Sequence, residues 1–209
     1  YPDAELRSHL GELRGALQDE RALGAERLAE LDALQARLAG ARAMDTEAAY
    51  VEIFDRGRGT SLHLFEHVHG DSRDRGPAMV DLIKTFEAAG LYLAPGELPD
   101  YLPVVLEFAS TQPPPQAAEF LREIAHILQV IFSALVKRQS PYASVLAAVL
   151  DLAGEKAQAV KLADEPALDE SWEEPLAFDG CSTQGQARPG QPQPIQIVKQ
   201  PAPQQGVRP

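Results

Sequence analysis

The sequence has little cysteine, few aromatic residues, fewer basic than acidic residues and no long apolar run. Its one cysteine, Cys181, excludes an internal disulfide and a cysteine-rich metal site. The 19 Lys and Arg against 31 Asp and Glu leave a formal net charge of -12. This balance argues against a nucleic acid partner, because phosphate binding needs concentrated cations. No apolar run approaches the roughly 20 residues of a membrane span, so direct membrane insertion is not expected.

These absences favour a soluble protein whose partner is neutral or basic. The single cysteine makes a reducing cytoplasm the simplest compartment, and no secretory signal opens the sequence. The chain starts at Tyr1 rather than at Met, so we expect its first helix to be truncated. Its 209 residues, 44% of them hydrophobic, suffice for one large helical domain or two small ones.

Leucine spacing predicts two helices at the start of the chain. Leucines recur at steps of three and four in two runs, Leu6, Leu10, Leu13 and Leu17, then Leu28, Leu31, Leu34 and Leu38. Such one-sided stripes are typical of amphipathic helices. Neither run lasts the three or four heptads that a coiled coil needs. We therefore predict an antiparallel helical hairpin over residues 3–18 and 25–42.

Caps and helix breakers predict six further helices. Asp45 or Thr46 is the expected N-cap of the third helix, and Asp100 that of the sixth. Gly90 is expected to end the fifth in the left-handed conformation. One stretch is apolar on more than one face, which predicts a single central helix. The six helices are expected over residues 45–56, 61–69, 76–90, 101–112, 116–137 (the central one) and 141–154.

No strand-like alternation of useful length occurs, so the predicted fold class is all-α, a single helical bundle. Towards the C-terminus, residues 151–179 hold nine acidic and two basic side chains, with Trp172 and Phe178 among them. A strap packed on its own domain is favoured for this segment over a binding surface. Residues 179–209 hold eight Gln, six Pro and four Gly, so we expect a disordered tail. The helical domain is predicted to span residues 1–178.

Histidines and arginines crowd into residues 50–79, YVEIFDRGRGTSLHLFEHVHGDSRDRGPAM. His63, Glu66 and His67 match the H-x-x-E-H spacing of inverted zinc metallopeptidases, and on one helix the two histidines would share a face. No signature of a third protein ligand follows, so hydrogen-bonded histidines at a helix junction are the favoured interpretation. We predict no bound metal and no other cofactor, and a zinc-dependent hydrolase stays open as the alternative.

The run Arg56-Gly57-Arg58-Gly59 has the glycines of a phosphate-binding loop, but it lacks the Lys-Ser/Thr pair of a P-loop and follows no strand. A helix end and a flexible turn, with arginines paired to nearby carboxylates, is the favoured interpretation. No Ser-His-Asp or Cys-His pattern can be built, since Cys181 falls in the predicted disordered tail. The chain is therefore not expected to be an enzyme.

Three stretches carry a family resemblance: YVEIFDRGRGTSLHLFEHVHGDSRDRGPAMVDL, ELPDYLPVVLEF and SWEEPLAF. They resemble the nitrate reductase molybdenum cofactor assembly chaperones, also called delta subunits. The resemblance implies an all-helical fold of the wider TorD and DmsD type. It also implies binding to the N-terminal segment of the apo catalytic (alpha) subunit, which is held competent for cofactor insertion before membrane attachment. Molybdenum cofactor biosynthesis proteins are implied as further partners, and the role is not catalytic.

The wider group carries an E-x-P-D-H-type motif in a loop implicated in binding the partner peptide. Glu97, Pro99 and Asp100 match that motif, and Tyr101 stands where related chaperones often have His. The departure at Tyr101 bears on any role that depends on the histidine, but not on peptide binding itself.

The site hypothesis divides the candidate residues into three groups. The first is expected to line or support an apolar groove for an amphipathic helix: Tyr50, Phe54, Leu106 and Phe108. The second is expected to supply negative charge at the rim: Glu52, Glu97, Asp100 and Glu107. The third is expected to organise the junction or contact the partner: Arg56, Arg58, His63 and His67. A helical adaptor unrelated to molybdoenzymes stays open, and so does the possibility that these aromatic residues belong to the core.

Overall fold

The computed structural model describes residues 1–70 and 72–162, and in this part of the chain it has nine α-helices, one 3-10 helix and no β-strand. The predicted all-α fold class is confirmed. The α-helices are α1 (Ala4–Glu20), α2 (Ala25–Gly40), α3 (Ala43–Phe54), α4 (Leu64–Val68), α5 (Arg75–Ala88), α6 (Leu102–Thr111), α7 (Pro114–Glu123), α8 (Ala125–Lys137) and α9 (Ala143–Leu152). The 3-10 helix, Arg58–Thr60, lies between α3 and α4.

Several predicted features lie outside the described residues. They are the domain boundary at residue 178, the tail over residues 179–209, Cys181, and the acidic segment with Trp172 and Phe178. Within the described ranges, every helix is too short or too polar to cross a membrane.

The leucine stripes of α1 and α2 pack on one another, as predicted. Leu10, Leu34 and Leu38 form a small buried cluster between these helices and the start of α9. Arg7 fastens the hairpin from its polar side, because its guanidinium donates to Ala41 O at 2.8 Å. The end of α2 thereby gains a partner for a carbonyl that a helix terminus leaves unsatisfied.

Helix α3 begins two residues earlier than predicted, and the capping role proposed for Asp45 or Thr46 is wrong. Both lie inside the first turn, while Arg42 holds the cap position. The Asp45 carboxylate is engaged by the Arg42 guanidinium at 2.7 Å. The Thr46 hydroxyl instead donates to Ala43 O at 2.7 Å. Each side chain thus has a local partner that competes with capping.

The end of α3 is held by an arginine that follows α8. Arg138 Nη1 donates to Ile53 O at 3.2 Å, and the buried Thr60 hydroxyl donates to the same carbonyl. Gly57 makes this approach possible: a Cβ atom there would lie 2.3 Å from Arg138 Nη2. The helix stops at Phe54, two residues before the predicted end, and a side chain at position 57 would require the Arg138 guanidinium to move.

The histidine-rich segment contains less helix than predicted. Residues 61–63 are extended, and α4 starts only at Leu64, because His63 has φ -88° and ψ 106°. Helix α5 starts at Arg75, one residue before the predicted position. It is followed by Gly90 with φ +79°, so the left-handed helix end predicted there is confirmed.

The single central helix predicted over residues 116–137 is wrong, because the chain breaks at Ile124 into α7 and α8. Ile124 has φ -94° and ψ 2°, and its carbonyl accepts the N–H groups of both Ile127 and Leu128. Leu121 is the buried residue of α7, whereas α8 has seven buried residues along its length. The bond from Ile127 N–H to Ile124 O spans three residues, so the regular four-residue pattern of the α-helix is interrupted at this point.

Helix α8 is the centre of the core, as its apolar character predicted. Leu128, Ile131 and Leu135 are fully buried, and Ala147 and Leu150 meet them from α9. Burial of each large side chain contributes about 1.5–3 kcal/mol. Helices α8 and α9 therefore form the rigid base on which the other elements are placed.

An extended segment after α9 lies along α8 and is held by polar side chains. The Gln129 amide donates to Lys156 O at 2.6 Å and accepts the Gln158 N–H at 2.9 Å. One turn further along, Ser133 Oγ accepts the Val160 N–H at 2.8 Å. All three bonds are made to the backbone of the segment, so its attachment depends little on its own side chains.

Candidate functional site

Two segments that are distant in sequence meet side by side at the candidate site. Residues 62–64 pair with residues 100–102 through two backbone hydrogen bonds of 2.8 and 2.9 Å. His63 and Tyr101 lie opposite each other in this antiparallel bridge, with their ring centroids 5.2 Å apart. Pro99, which precedes the bridge, is buried. The fold thus joins the histidine-rich segment to the Glu-x-Pro-Asp segment.

The Asp100 carboxylate is fully buried at this bridge and caps a different helix from the one predicted. Its Oδ2 accepts the Phe65 N–H at 3.1 Å, so it satisfies an amide in the first turn of α4. The prediction that Asp100 caps α6 is wrong, because Tyr101 holds that cap position. Pairing of the two segments places Asp100 against α4. This contact could not be predicted from the sequence, because Asp100 and Phe65 are 35 residues apart.

The buried carboxylate is only partly satisfied by the charged groups around it. Arg75 Nη2 lies 3.6 Å from Asp100 Oδ2 and 3.6 Å from Glu66 Oε1, and His63 Nδ1 lies 3.5 Å from Asp100 Oδ1. Within the described residues, His63 Nδ1, Asp100 Oδ1 and Arg75 Nε are buried without a hydrogen-bond partner. Buried polar atoms of this kind are costly and uncommon, which distinguishes this junction from an ordinary helix contact.

Four aromatic rings gather on the other side of the bridge. Tyr50 and Phe54, one turn apart on α3, have ring centroids 4.6 Å apart. Tyr1 meets Tyr50 edge-on at 5.5 Å, and Tyr142 meets Phe54 edge-on at 5.3 Å. Burial, followed by the nearby Tyr101, raises the pKa of Tyr50 to about 12. The Tyr50 hydroxyl is therefore neutral at physiological pH.

A cavity of about 300 Å³ opens between this aromatic cluster and the bridge. Its walls come from α3, from the extended segment before α4, from the residue before α6 and from the first residue of the chain. The lining residues are Tyr1, Tyr50, Phe54, Asp55, Ser61, Leu62, His63 and Tyr101. The aromatic walls and one acidic side chain make a concave surface that can hold a partner side chain.

The structure gathers only part of the predicted site around this cavity. Four of the candidate residues line it: Tyr50, Phe54, His63 and Tyr101. Pro99 and Asp100 are buried next to Tyr101, in the segment that forms its wall. Asp100 is therefore not a rim charge, because its carboxylate is not exposed.

Two residues assigned to the groove lie elsewhere. Phe108 is buried, with its ring centroid 4.5 Å from that of Phe86 and 4.9 Å from that of Phe120. Leu106, also on α6, is half-buried against the main core. Neither lines the cavity, so of the four proposed groove residues only Tyr50 and Phe54 do so.

The remaining charged candidates are at the surface. Glu52 pairs with Arg56 at 2.9 Å, as predicted for an arginine at the end of a helix. The Glu97 carboxylate accepts the Ala94 N–H at 3.3 Å within its own loop. Glu107 and Arg58 are exposed. Such exposed charges contribute little to stability.

The H-x-x-E-H pattern does not form a metal site. His63 lies outside α4 in an extended conformation, and its Nδ1 faces Asp100. His67 is in α4, and its Nε2 is 2.9 Å from Ser61 O. In residues 1–70 and 72–162, no group of three His, Cys, Asp or Glu side chains is arranged to hold a metal ion. The zinc hydrolase alternative finds no support in this geometry.

Residues 3–148 match the family model described as nitrate reductase delta subunit. The chain belongs to the nitrate reductase delta subunit family. The match includes both segments of the bridge and every cavity residue except Tyr1. Membership in this family also leaves the unrelated helical adaptor without support.

The sequence similarity to individual relatives extends over most of the chain. The chain is 44% identical over 195 residues to the nitrate reductase molybdenum cofactor assembly chaperone NarJ of Escherichia coli K12, covering 87% of this chain and 83% of that protein. It is 44% identical over 147 residues to the probable chaperone NarW of the same strain, covering 66% and 64%. It is 30% identical over 153 residues to the probable chaperone NarJ of Bacillus subtilis 168, covering 72% and 80%. These relatives are named as assembly chaperones rather than as catalysts.

In this delta-subunit family member, sequence reasoning missed several residues at the site. Asp55, Ser61 and Leu62 line the cavity, Arg75 faces Asp100, and Tyr142 completes the aromatic cluster. Asp55 directly follows the Tyr50–Phe54 turn, so its place beside those rings was accessible from helical spacing. Tyr142 and Arg75 gave no such sign, because their contacts depend on the tertiary fold.

A second, larger groove of about 620 Å³ lies between α2, α8 and the start of α9. Its apolar lining includes Leu34, Phe132 and Val136, and its charged lining is Arg27, Glu30 and Arg37. None of the predicted site residues lines it. Its size makes it the main competitor to the smaller cavity as a partner-binding surface.

Proposed function

We propose that this chain is a system-specific assembly chaperone of a nitrate reductase, and that it binds the N-terminal segment of the apo catalytic subunit. Binding would keep that subunit competent for molybdenum cofactor insertion and for assembly of the membrane-bound complex. The observation that carries the proposal is 44% identity over 87% of this chain to a protein named as a chaperone of this kind. Family membership over residues 3–148 is consistent with it.

The geometry of the bridge supports a partner-binding role there. A rigid base of α8 and α9 holds a concave, aromatic-lined cavity whose neighbouring polar atoms are not fully satisfied. Binding sites often combine a fixed scaffold with groups that gain partners only in the complex. A helical segment with an apolar face could place one or two side chains into such a cavity.

The charge of the chain supports the same proposal. A formal net charge of -12 favours encounter with a segment that carries basic residues. Of the exposed carboxylates, that of Asp55 lines the cavity, Glu52 lies on α3, and Glu97 and Glu107 lie on the segment around α6. These side chains are the candidates for the acidic rim, whereas Asp100 acts from within the protein.

The same family role supports proposals about location, catalysis and further partners. The chain acts in the cytoplasm, without catalysis and without a resident cofactor. Molybdenum cofactor biosynthesis proteins are its further partners, and nucleic acid is not a partner. Each part follows from an assembly role that precedes membrane attachment of the enzyme.

The direct test is calorimetric titration of the full chain with the N-terminal peptide of the nitrate reductase catalytic subunit from the same organism. A peptide of the same composition in scrambled order is the control. We expect saturable binding of the true peptide alone. Equal binding of both peptides, or of neither, by a folded sample would contradict the proposal. A chain extended at its N-terminus should be titrated in parallel, since Tyr1 lines the cavity.

A further inference from the structure

We propose that the cavity between α3 and the bridge is a cation-binding cage, which receives the side chain of one lysine or arginine from the partner peptide. The inference deepens the proposed function and rests on it, because it names the chemistry of the residue that the peptide must offer.

Aromatic rings enclose the cavity from two sides. Tyr50 and Phe54 form one wall, with Tyr1 edge-on beside them, and His63 and Tyr101 form the other. An aromatic ring attracts a cation over its face, and Tyr and Phe are among the residues that build such cages. The neutral Tyr50 hydroxyl, whose pKa is about 12, adds no charge of its own.

Two carboxylates lie near these rings, those of Asp55 and Glu47. Asp55 is the only acidic side chain among the described residues that line the cavity, and it is exposed. The Tyr1 hydroxyl lies 3.3 Å from Glu47 Oε2. Loss of water around the phenol, followed by the carboxylates of Glu47, Asp3 and Asp55, raises the pKa of the exposed Tyr1 side chain.

The basic side chains around the cavity face other carboxylates, and His63, the one that lines it, has its Nδ1 3.5 Å from Asp100 Oδ1. No lysine or arginine side chain occurs among the described lining residues. Arg56 is engaged with Glu52 at 2.9 Å, and Arg75 is directed at Asp100 and Glu66. The potential at Asp55 is thus left for an incoming cation.

The size of the cavity limits what can enter. A volume of about 300 Å³ is at the lower end of the range of ligand pockets, so it suits a single long side chain better than a nucleotide or a large cofactor. A lysine or arginine can bury its alkyl stem against the rings while its charged head reaches Asp55. An aspartate, a glutamate or a short polar side chain would gain neither contact.

The test is a double-mutant cycle by calorimetry on the full chain. The probes are the N-terminal peptide of the catalytic subunit and variants of it in which each lysine or arginine is replaced in turn by glutamine. One replacement should weaken binding about 5-fold to 30-fold, the range for a cation over aromatic rings. Asp55→Asn should weaken binding of the parent peptide up to about fivefold, with a smaller dependence on salt.

The decisive measurement combines a change in the peptide with a change in the protein. With the peptide that lacks the critical basic residue, Asp55→Asn should cause no further loss. Phe54→Leu, which keeps apolar volume but removes a ring face, should behave in the same way. Asp81→Asn is the matched control, because Asp81 is exposed, lies on α5 and pairs with Lys84. Circular dichroism and thermal unfolding of each variant would show that the helical fold is kept.

The outcomes separate the cage from the chaperone role. Saturable binding of the parent peptide with no sensitive basic residue, or with losses that simply add, would overturn the cage and leave the proposed function standing. No binding of the parent peptide would overturn both. Coupling confined to Asp55, Phe54 and one basic residue is the result expected for the cage.

Discussion

The α8–α9 pair and the bridge between residues 62–64 and 100–102 use opposite means of holding their residues together. In α8, Leu128, Ile131 and Leu135 are fully buried against apolar neighbours. At the bridge, buried atoms of His63, Asp100 and Arg75 have no hydrogen-bond partner among the described residues. The apolar packing of α8 is complete in the free protein, whereas the hydrogen bonding at the bridge is not.

This difference indicates where each kind of function resides. Close apolar packing is sensitive to volume and gives a base of fixed shape. A partly satisfied polar network costs stability in the free protein and gains when new partners arrive. We therefore expect changes in α8 to affect folding alone, and changes at the bridge to affect folding less and binding more.

The largest effect is expected in the base. Leu128→Ala should lower the free energy of unfolding by about 2–5 kcal/mol, because it removes a fully buried side chain and leaves a cavity. Urea denaturation measures this change. Val136→Ala, at an exposed position of the same helix, should change it by less than about 0.5 kcal/mol. Equal effects at the two positions would mean that α8 is not the base of the fold.

At the bridge, Asp100→Ala should lower the free energy of unfolding by about 1–3 kcal/mol, because the Phe65 N–H loses its buried acceptor. Asp100→Asn keeps an oxygen for that N–H and should be less costly. Denaturation of both variants measures the contrast. If asparagine is as harmful as alanine, the negative charge of Asp100, rather than its cap on α4, is what stabilises the bridge.

A smaller effect is expected where residues 156–160 lie along α8. Gln129→Ala removes two hydrogen bonds to this segment and should lower the free energy of unfolding by about 1 kcal/mol. Hydrogen exchange at the Gln158 amide should become about tenfold faster. Gln158→Ala is the control, because the bonds go through the Gln158 backbone. Unchanged exchange in the Gln129 variant would show that the amide does not hold the segment.

A pH-dependent effect is expected from Tyr50 under alkaline conditions. Its pKa is raised from 10.0 to about 12 in the folded protein, so the neutral phenol is favoured by folding. This contribution is fully present below pH 10 and is lost as the pH rises towards 12. Tyr50→Phe should therefore lose less stability than the parent chain across that interval. Thermal unfolding measured at several pH values, with tyrosinate absorbance as a check, would test the difference.

Sequence reasoning could predict what depends on local pattern. The leucine stripes of α1 and α2, the apolar character of α8 and the left-handed Gly90 follow from spacing and residue type. It failed where two distant elements decide the outcome. The break at Ile124 carries no glycine or proline, so residue type gave no sign of it.

The candidate site shows the same division. Tyr50 and Phe54 share a helix face, so their proximity could be predicted from one turn of spacing. The contact of Asp100 with the Phe65 N–H, 35 residues away in sequence, could not, and neither could the separation of Phe108 from the cavity. Spacing along the sequence identifies candidate site residues, whereas the pairing of distant segments determines which of them are in contact.

The most direct test of the account is hydrogen exchange of the full chain with and without the N-terminal peptide of the catalytic subunit. We predict slower exchange at the amides of residues 50–55, 61–66 and 98–102 in the complex, with little change in the groove between α2 and α8. Protection confined to the walls of that larger groove, at residues 27–37 and 132–144, would contradict this prediction. The partner would then bind between α2, α8 and the start of α9.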